Sequence, residues 1–132
     1  MANLGAENQQ LKVLVVDDFA SMRSMIQNSL MSLGFSKISM ANGAVDAVRQ
    51  IEEGAEFDLI ISDWNMPNMT GLELLQYVRS AKQLKDVPFL MITAEAQREN
   101  IIEAAKAGVS QYIVKPFTVE ALQEKIESIL PK

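Results

Sequence analysis

The sequence predicts an α/β domain: a doubly wound parallel β-sheet with helices on both faces, built from five βα repeats. Three observations carry this. Short continuous apolar runs alternate with segments of helical spacing, the runs are rich in β-branched residues, and a glycine closes several of the helical segments. Runs of that kind belong to strands covered on both faces. Strands alternating with helices imply a parallel sheet with right-handed crossovers.

The elements follow in order. Val13-Leu14-Val15-Val16 is the first strand. Met22, Ile26, Leu30 and Leu33 recur at intervals of four and three, as one face of a helix does, and Gly34 is its stop signal. Lys37-Ile38-Ser39-Met40 alternates polar and apolar, the pattern of a half-exposed edge strand. Val45, Val48 and Ile51 form the apolar stripe of a shorter helix closed by Gly54. Leu59-Ile60-Ile61 is the third strand, followed by a turn on Pro67 and Asn68. Thr70 is an N-cap residue for a helix whose stripe is Leu72, Leu75 and Val78. Phe89-Leu90-Met91-Ile92 is the fourth strand, and an Ala-rich helix over 97–107 ends at Gly108. Tyr112-Ile113-Val114 is the fifth strand. Thr118 caps the last helix, with Leu122, Ile126, Ile129 and Leu130 as its inner face. The methionines read as core filler; Glu52-Glu53, Lys82 and Lys85 read as solvated faces.

The 132 residues, 48% hydrophobic and 22% charged, suit one domain with a real core. Residues 1–10, MANLGAENQQ, read as a solvated tail before a domain over 11–132; they lack the basic and apolar regions of a signal peptide. A net charge of −5 argues against nucleic acid or an anionic membrane as partner, and no apolar run has membrane-spanning length. The chain has no Cys and no His. That excludes disulfides, thiolate metal sites, a histidine base and a phosphohistidine of its own, and it points to a cytoplasmic protein.

In a parallel sheet the residues just past every strand gather at one edge, where open α/β folds bind ligands. Here they are Asp17, Asp18, Asp63, Thr93 and Lys115. Singly, each is ordinary: an aspartate can cap a helix or fill a turn, and a lysine can sit in a loop. Together they are not, because three carboxylates in one corner repel and raise one another's pKa unless a cation offsets them. A hard cation with oxygen ligands, most naturally Mg²⁺, does so. With Lys115 and the Thr93 hydroxyl it would neutralise a phosphoryl group while Asp63 acts as nucleophile.

Asp17-Asp18, Asp63, Thr93 and Lys115-Pro116 resemble the receiver domain of two-component response regulators. Asp18-Phe19, Asp63-Trp64-Asn65-Met66-Pro67-Asn68 and Thr93-Ala94-Glu95-Ala96 are similar to the single-domain chemotaxis regulators of that family. So are Glu99-Asn100-Ile101-Ile102 and Lys115-Pro116-Phe117-Thr118. The resemblance implies a flavodoxin-like (βα)5 fold of strand order 2-1-3-4-5, an order for which those regulators are themselves a standard instance. It implies phosphorylation of Asp63 by a chemotaxis-type histidine kinase. Mg²⁺ would be held by Asp18, Asp63 and the backbone carbonyl of Asn65, with Asp17 acting through water. Thr93 and Lys115 would contact the phosphoryl oxygens, Thr93 and Tyr112 would form the switch, and Asn65 and Glu95 would tune autodephosphorylation. The Lys115-Pro116 bond is expected cis.

The resemblance further implies a monomer whose output surface, made by the fourth helix, fifth strand and fifth helix, carries Ala96, Arg98, Ile101, Tyr112, Val114, Phe117 and Lys125. Its target would be a flagellar motor switch protein, with a separate phosphatase possible. Two departures bear on the target: an extra residue within 43–48, and Glu127-Ser128 where close relatives often carry a neutral residue and a lysine. They leave open a phosphate sink or a non-motor partner. An aspartyl-phosphate phosphatase would need a second acid where Asn65 stands. A flavodoxin-type cofactor binder would not place Asp17-Asp18 in its phosphate loop. The expectation is a signalling protein and not an enzyme.

Overall fold

The computed structural model describes residues 9–94 and 98–130, with Arg98 described through its backbone only. Residues 1–8 of the expected tail, Glu95, Ala96 and the Arg98 side chain lie outside the described residues. Five strands and five helices alternate: β1 (Lys12–Val16), α1 (Ala20–Ser32), β2 (Lys37–Ala41), α2 (Ala44–Glu52), β3 (Leu59–Asp63), α3 (Gly71–Ser80), β4 (Phe89–Thr93), α4 (Arg98–Lys106), β5 (Gln111–Val114) and α5 (Val119–Ile129). All strand pairs are parallel, in the order β2-β1-β3-β4-β5. The chain turns back at β1, so the switch point of this flavodoxin-like sheet lies between β1 and β3.

Alternation along the strands divides the core in two. Val13, Val15, Leu59, Ile61, Leu90 and Ile92 meet Ile26 and Leu30 of α1 and Leu122 and Ile126 of α5. On the other face Leu14, Val16, Ile60, Phe89 and Met91 meet Ala47 and Ile51 of α2 and Leu74, Leu75 and Val78 of α3. The three central strands are buried along nearly their whole length, as their apolar runs require. Thr70 caps α3 in a full capping box with Glu73, and Thr118 Oγ1 accepts the Ala121 N–H at 3.0 Å. Asn68 takes the left-handed conformation (φ 72°) in the Pro67-Asn68 turn, a region Asn tolerates. The Lys115-Pro116 peptide is cis.

Three expectations are corrected. The buried stripe of α2 is Ala44, Ala47 and Ile51, while Val45 is exposed and Val48 lies at the flank. Both stripes have helical spacing, and the small alanines let the helix approach the sheet. The fifth apolar run is not covered on both faces: β5 is the second edge of the sheet, and only Ile113 in it is buried. The methionines divide, with Met66 and Met91 in the core and Met25 and Met31 exposed.

At the end of the sheet away from the strand C-termini, Arg79 ties three segments together. Its Nε donates to the Gly108 carbonyl at 2.9 Å and its Nη1 to those of Val87 at 2.7 Å and Lys85 at 3.2 Å. Gly108 has φ +90°, and a Cβ there would press on this guanidinium at 3.2 Å. Arg79→Met strands these carbonyls and is expected to lower the unfolding free energy by about 2–3 kcal/mol. Urea denaturation measures it; a loss under about 0.5 kcal/mol, the range of an ordinary surface substitution, would mean that the clasp adds nothing.

Candidate functional site

Backbone pairing continues one residue past the strands and fixes where the polar residues stand. The Asp17 N–H donates to the Ala41 carbonyl at 3.2 Å, the Trp64 N–H to Ile92 at 2.8 Å and the Lys115 N–H to Thr93 at 2.8 Å. Asp63 and Thr93 close β3 and β4, almost fully buried at 3% and 5% exposure. Gly71 closes in behind them: its N–H donates to the Trp64 carbonyl at 2.9 Å, and a Cβ there would run into the carbonyl of Asp63. Ser62 Oγ donates to the same Asp63 carbonyl at 2.9 Å.

The five residues expected at this edge are all at it. Carboxylate oxygens of Asp17, Asp18 and Asp63 lie within 4.8 Å of one another. Lys115 Nζ is 3.2 Å from Asp63 Oδ1 and 4.0 Å from Asp17 Oδ2. Asp17 is completely buried; its Oδ1 accepts the Phe19 N–H at 2.9 Å. Asp17 Oδ2 and Asp18 Oδ1 are buried and have no hydrogen-bond partner among the described residues. Burial pushes the Asp63 carboxyl pKa up, partly countered by the adjacent Lys115 ammonium. Burial also raises that of Asp17 against the pull of the Phe19 amide, and the charge of Asp63 adds to the rise.

One lysine facing three carboxylates leaves the corner short of positive charge. Two buried carboxylate oxygens without donors, both hard ligands, fit a hard divalent cation, and Asp17, Asp18 and Asp63 could hold one. Asn65 lies two residues past Asp63 and is exposed. Tyr112 and Val114 are half-buried on β5, Ile101 on α4, Lys125 on α5 and Phe117 between β5 and α5. Lys125 Nζ stands 5.6 Å from the centroid of the Tyr112 ring. Sequence reasoning missed Ser62, Gly71 and Arg23, whose Nη1 donates to the Asp17 carbonyl at 2.7 Å. Gly71 carried a signal, because a glycine opening a well-capped helix marks a close approach.

Residues 13–127 match the family described as response regulator receiver domain. The chemotaxis protein CheY of Pseudomonas aeruginosa is 50% identical over 122 residues, covering 92% of this chain and 98% of that protein. The chemotaxis protein CheY-3 of Vibrio cholerae is 48% identical over 125 residues, 95% of each chain. The crystal structure of CheY4 from Vibrio cholerae superposes with a TM-score of 0.85 at 38% identity, covering 91% of this chain and 98% of that one. CheY is itself a standard instance of the 2-1-3-4-5 order.

The raised carboxyl pKa values set a pH dependence. Between the unfolded value of 3.8 and the higher folded value the native state binds more protons, so Asp17 costs stability as pH rises through that window. Asp17→Asn can keep the bond from the Phe19 amide and removes the charge. In metal-free buffer it is expected to raise the thermal midpoint at pH 7, with the gain shrinking as pH falls toward 3.8. A lower midpoint at pH 7 would show that the carboxylates are not in conflict.

Proposed function

The chain belongs to the response regulator receiver family, in its CheY-like chemotaxis group, and we propose that it signals through phosphorylation of Asp63 by a histidine kinase. The observation that carries this is the near-buried Asp63 carboxylate held 3.2 Å from Lys115 Nζ, beside two carboxylate oxygens without donors. Asp18, Asp63 and the Asn65 backbone carbonyl would hold Mg²⁺, with Asp17 acting through water, and the ion would supply the charge that lets an anionic nucleophile meet an anionic donor. An Asp63 oxygen forms the bond to phosphorus as the phosphohistidine P–N bond breaks. Lys115 and Thr93 then hold the phosphoryl oxygens. Burial of Asp63 limits water at the acyl phosphate, and Asn65 with Glu95 tunes its hydrolysis. Chemistry ends there: small phosphodonors load the site, and no outside ester is turned over.

The switch runs from Thr93 to Tyr112. Both line a cavity of ≈ 10 Å³, together with Trp64, Met91, Ile101 and Ala104. That is about the room of one water, so the tyrosine ring enters only if Thr93 and α4 give way together. The phosphoryl group thereby biases a two-state equilibrium. The surface it alters carries Ile101, Tyr112, Val114, Phe117 and Lys125 on one monomeric domain over 11–132; the expected contributions of Ala96 and the Arg98 side chain lie outside the described residues. Among partners, a chemotaxis-type kinase stands upstream and a flagellar motor switch protein downstream, in the cytoplasm, with a separate phosphatase possible. With Glu127 beside Glu120 and Glu124, α5 carries more acidic than basic side chains, Lys125 being its one cation, which favours a phosphate sink or a non-motor partner as the second reading.

The first test follows Trp64 fluorescence through a Mg²⁺ titration and then addition of acetyl phosphate, with intact-mass measurement. Wild type is expected to respond to both and to gain one phosphoryl group; Asp63→Asn gains none. Wild type without an adduct would end the proposal of phosphorylation at Asp63. A motor-switch peptide is expected to bind more tightly with beryllofluoride present, by about tenfold if the switch is worth the usual coupling energy. Phosphorylation with no such change would favour the sink.

A further inference from the structure

We propose that Arg23 is a positioning residue for the acidic corner, acting through the peptide plane that joins Asp17 to Asp18. This assignment rests on the reading of Asp17, Asp18 and Asp63 as a cation site.

Arg23 sits in the first turn of α1, and its backbone N–H donates to the Phe19 carbonyl at 3.0 Å. Its side chain reaches back over that turn, where Nη1 donates to the Asp17 carbonyl oxygen at 2.7 Å. That oxygen is part of the planar unit whose other end is the Asp18 nitrogen. Holding it fixes the last backbone torsion of Asp17 and the first of Asp18. The remaining polar atoms of Asp17 are committed as well: its N–H to Ala41 at 3.2 Å and its Oδ1 to the Phe19 N–H at 2.9 Å. Oδ2 accepts no hydrogen bond among the described residues, the Lys115 ammonium standing 4.0 Å away; it is one of the two buried oxygens without a hydrogen-bond donor. The other, Asp18 Oδ1, hangs from the far side of the same plane. Arg23 thus governs the relative placement of both.

A guanidinium beside a cation site has a second possible effect, and its sign is opposite. Through space, its positive charge repels a cation, so removing it would tighten metal binding. As a support, its removal frees the Asp17–Asp18 plane and weakens binding. Loss of an outer-shell partner typically costs about 10–100-fold in metal affinity, and a support acting through the backbone is placed lower, at roughly threefold to tenfold.

The test is a Mg²⁺ titration without phosphodonor, read by Trp64 fluorescence and by calorimetry, on wild type, Arg23→Met and Arg23→Lys. Arg23→Met is expected to bind Mg²⁺ about threefold to tenfold more weakly, with its metal-free thermal midpoint near that of wild type. Arg23→Lys keeps the charge and one donor on a shorter reach, and is expected to fall between the two. Unchanged or tighter binding in Arg23→Met overturns the proposal. Should Arg23→Met not fold, Arg23→Lys decides: binding equal to wild type overturns the proposal, and weaker binding at constant charge supports it. If wild type itself takes up no Mg²⁺ by calorimetry, the cation-site reading fails first and the role of Arg23 falls with it.

Discussion

Three carboxylates and one ammonium share the C-terminal edge of the sheet, and the rest of the structure is arranged around that imbalance. Lys115 lies 3.2 Å from Asp63 and 4.0 Å from Asp17, too far from the latter for a hydrogen bond, so two buried oxygens accept none among the described residues. Buried charge of one sign is costly, and burial raises the pKa of Asp17 and of Asp63. A fold optimised only for stability would not keep it. Under the proposed phosphorylation of Asp63, the imbalance is where positive charge and an incoming phosphoryl group would meet.

Keeping such a corner assembled demands rigidity around it. The parallel ladder supplies most of it, since the pairings through Ala41, Ile92 and Thr93 run directly into the site residues. Ser62 Oγ bonds the Asp63 carbonyl, and Gly71, lacking a Cβ, lets α3 start close against that carbonyl. Two apolar layers hold the sheet between helices, and Arg79 closes the opposite end. Of the helices, α4 buries little more than Ala104. A rigid site beside a loosely packed helix is a suitable arrangement for passing a local charge change to a surface.

Much of this was legible in residue patterns. A strand covered on both faces needs a continuous apolar run, so β1, β3 and β4 stand out, and a polar residue closing such a run needs a reason, as Asp63 does. The α2 stripe was not legible in the same way. Its segment Ala44-Val45-Asp46-Ala47-Val48 carries two overlapping helical stripes, and periodicity cannot choose between them. Packing chose the alanines. Tyr112-Ile113-Val114 reads as a strand covered on both faces for a similar reason, because an apolar run alone does not say how far each face is covered.

By itself the sequence determined the βα rhythm, the strand ends and the identity of the five polar residues that gather there. These are local properties: periodicity, capping and turn chemistry act over a few residues. Only the tertiary structure decided how close those residues come, which carboxylate oxygens are left without donors, and which helical face meets the sheet. It alone brought Arg23 to the Asp17 carbonyl and Arg79 to Gly108. Such contacts depend on how separate segments approach in space, and an arginine reads in sequence as a solvated charge until its acceptors are known.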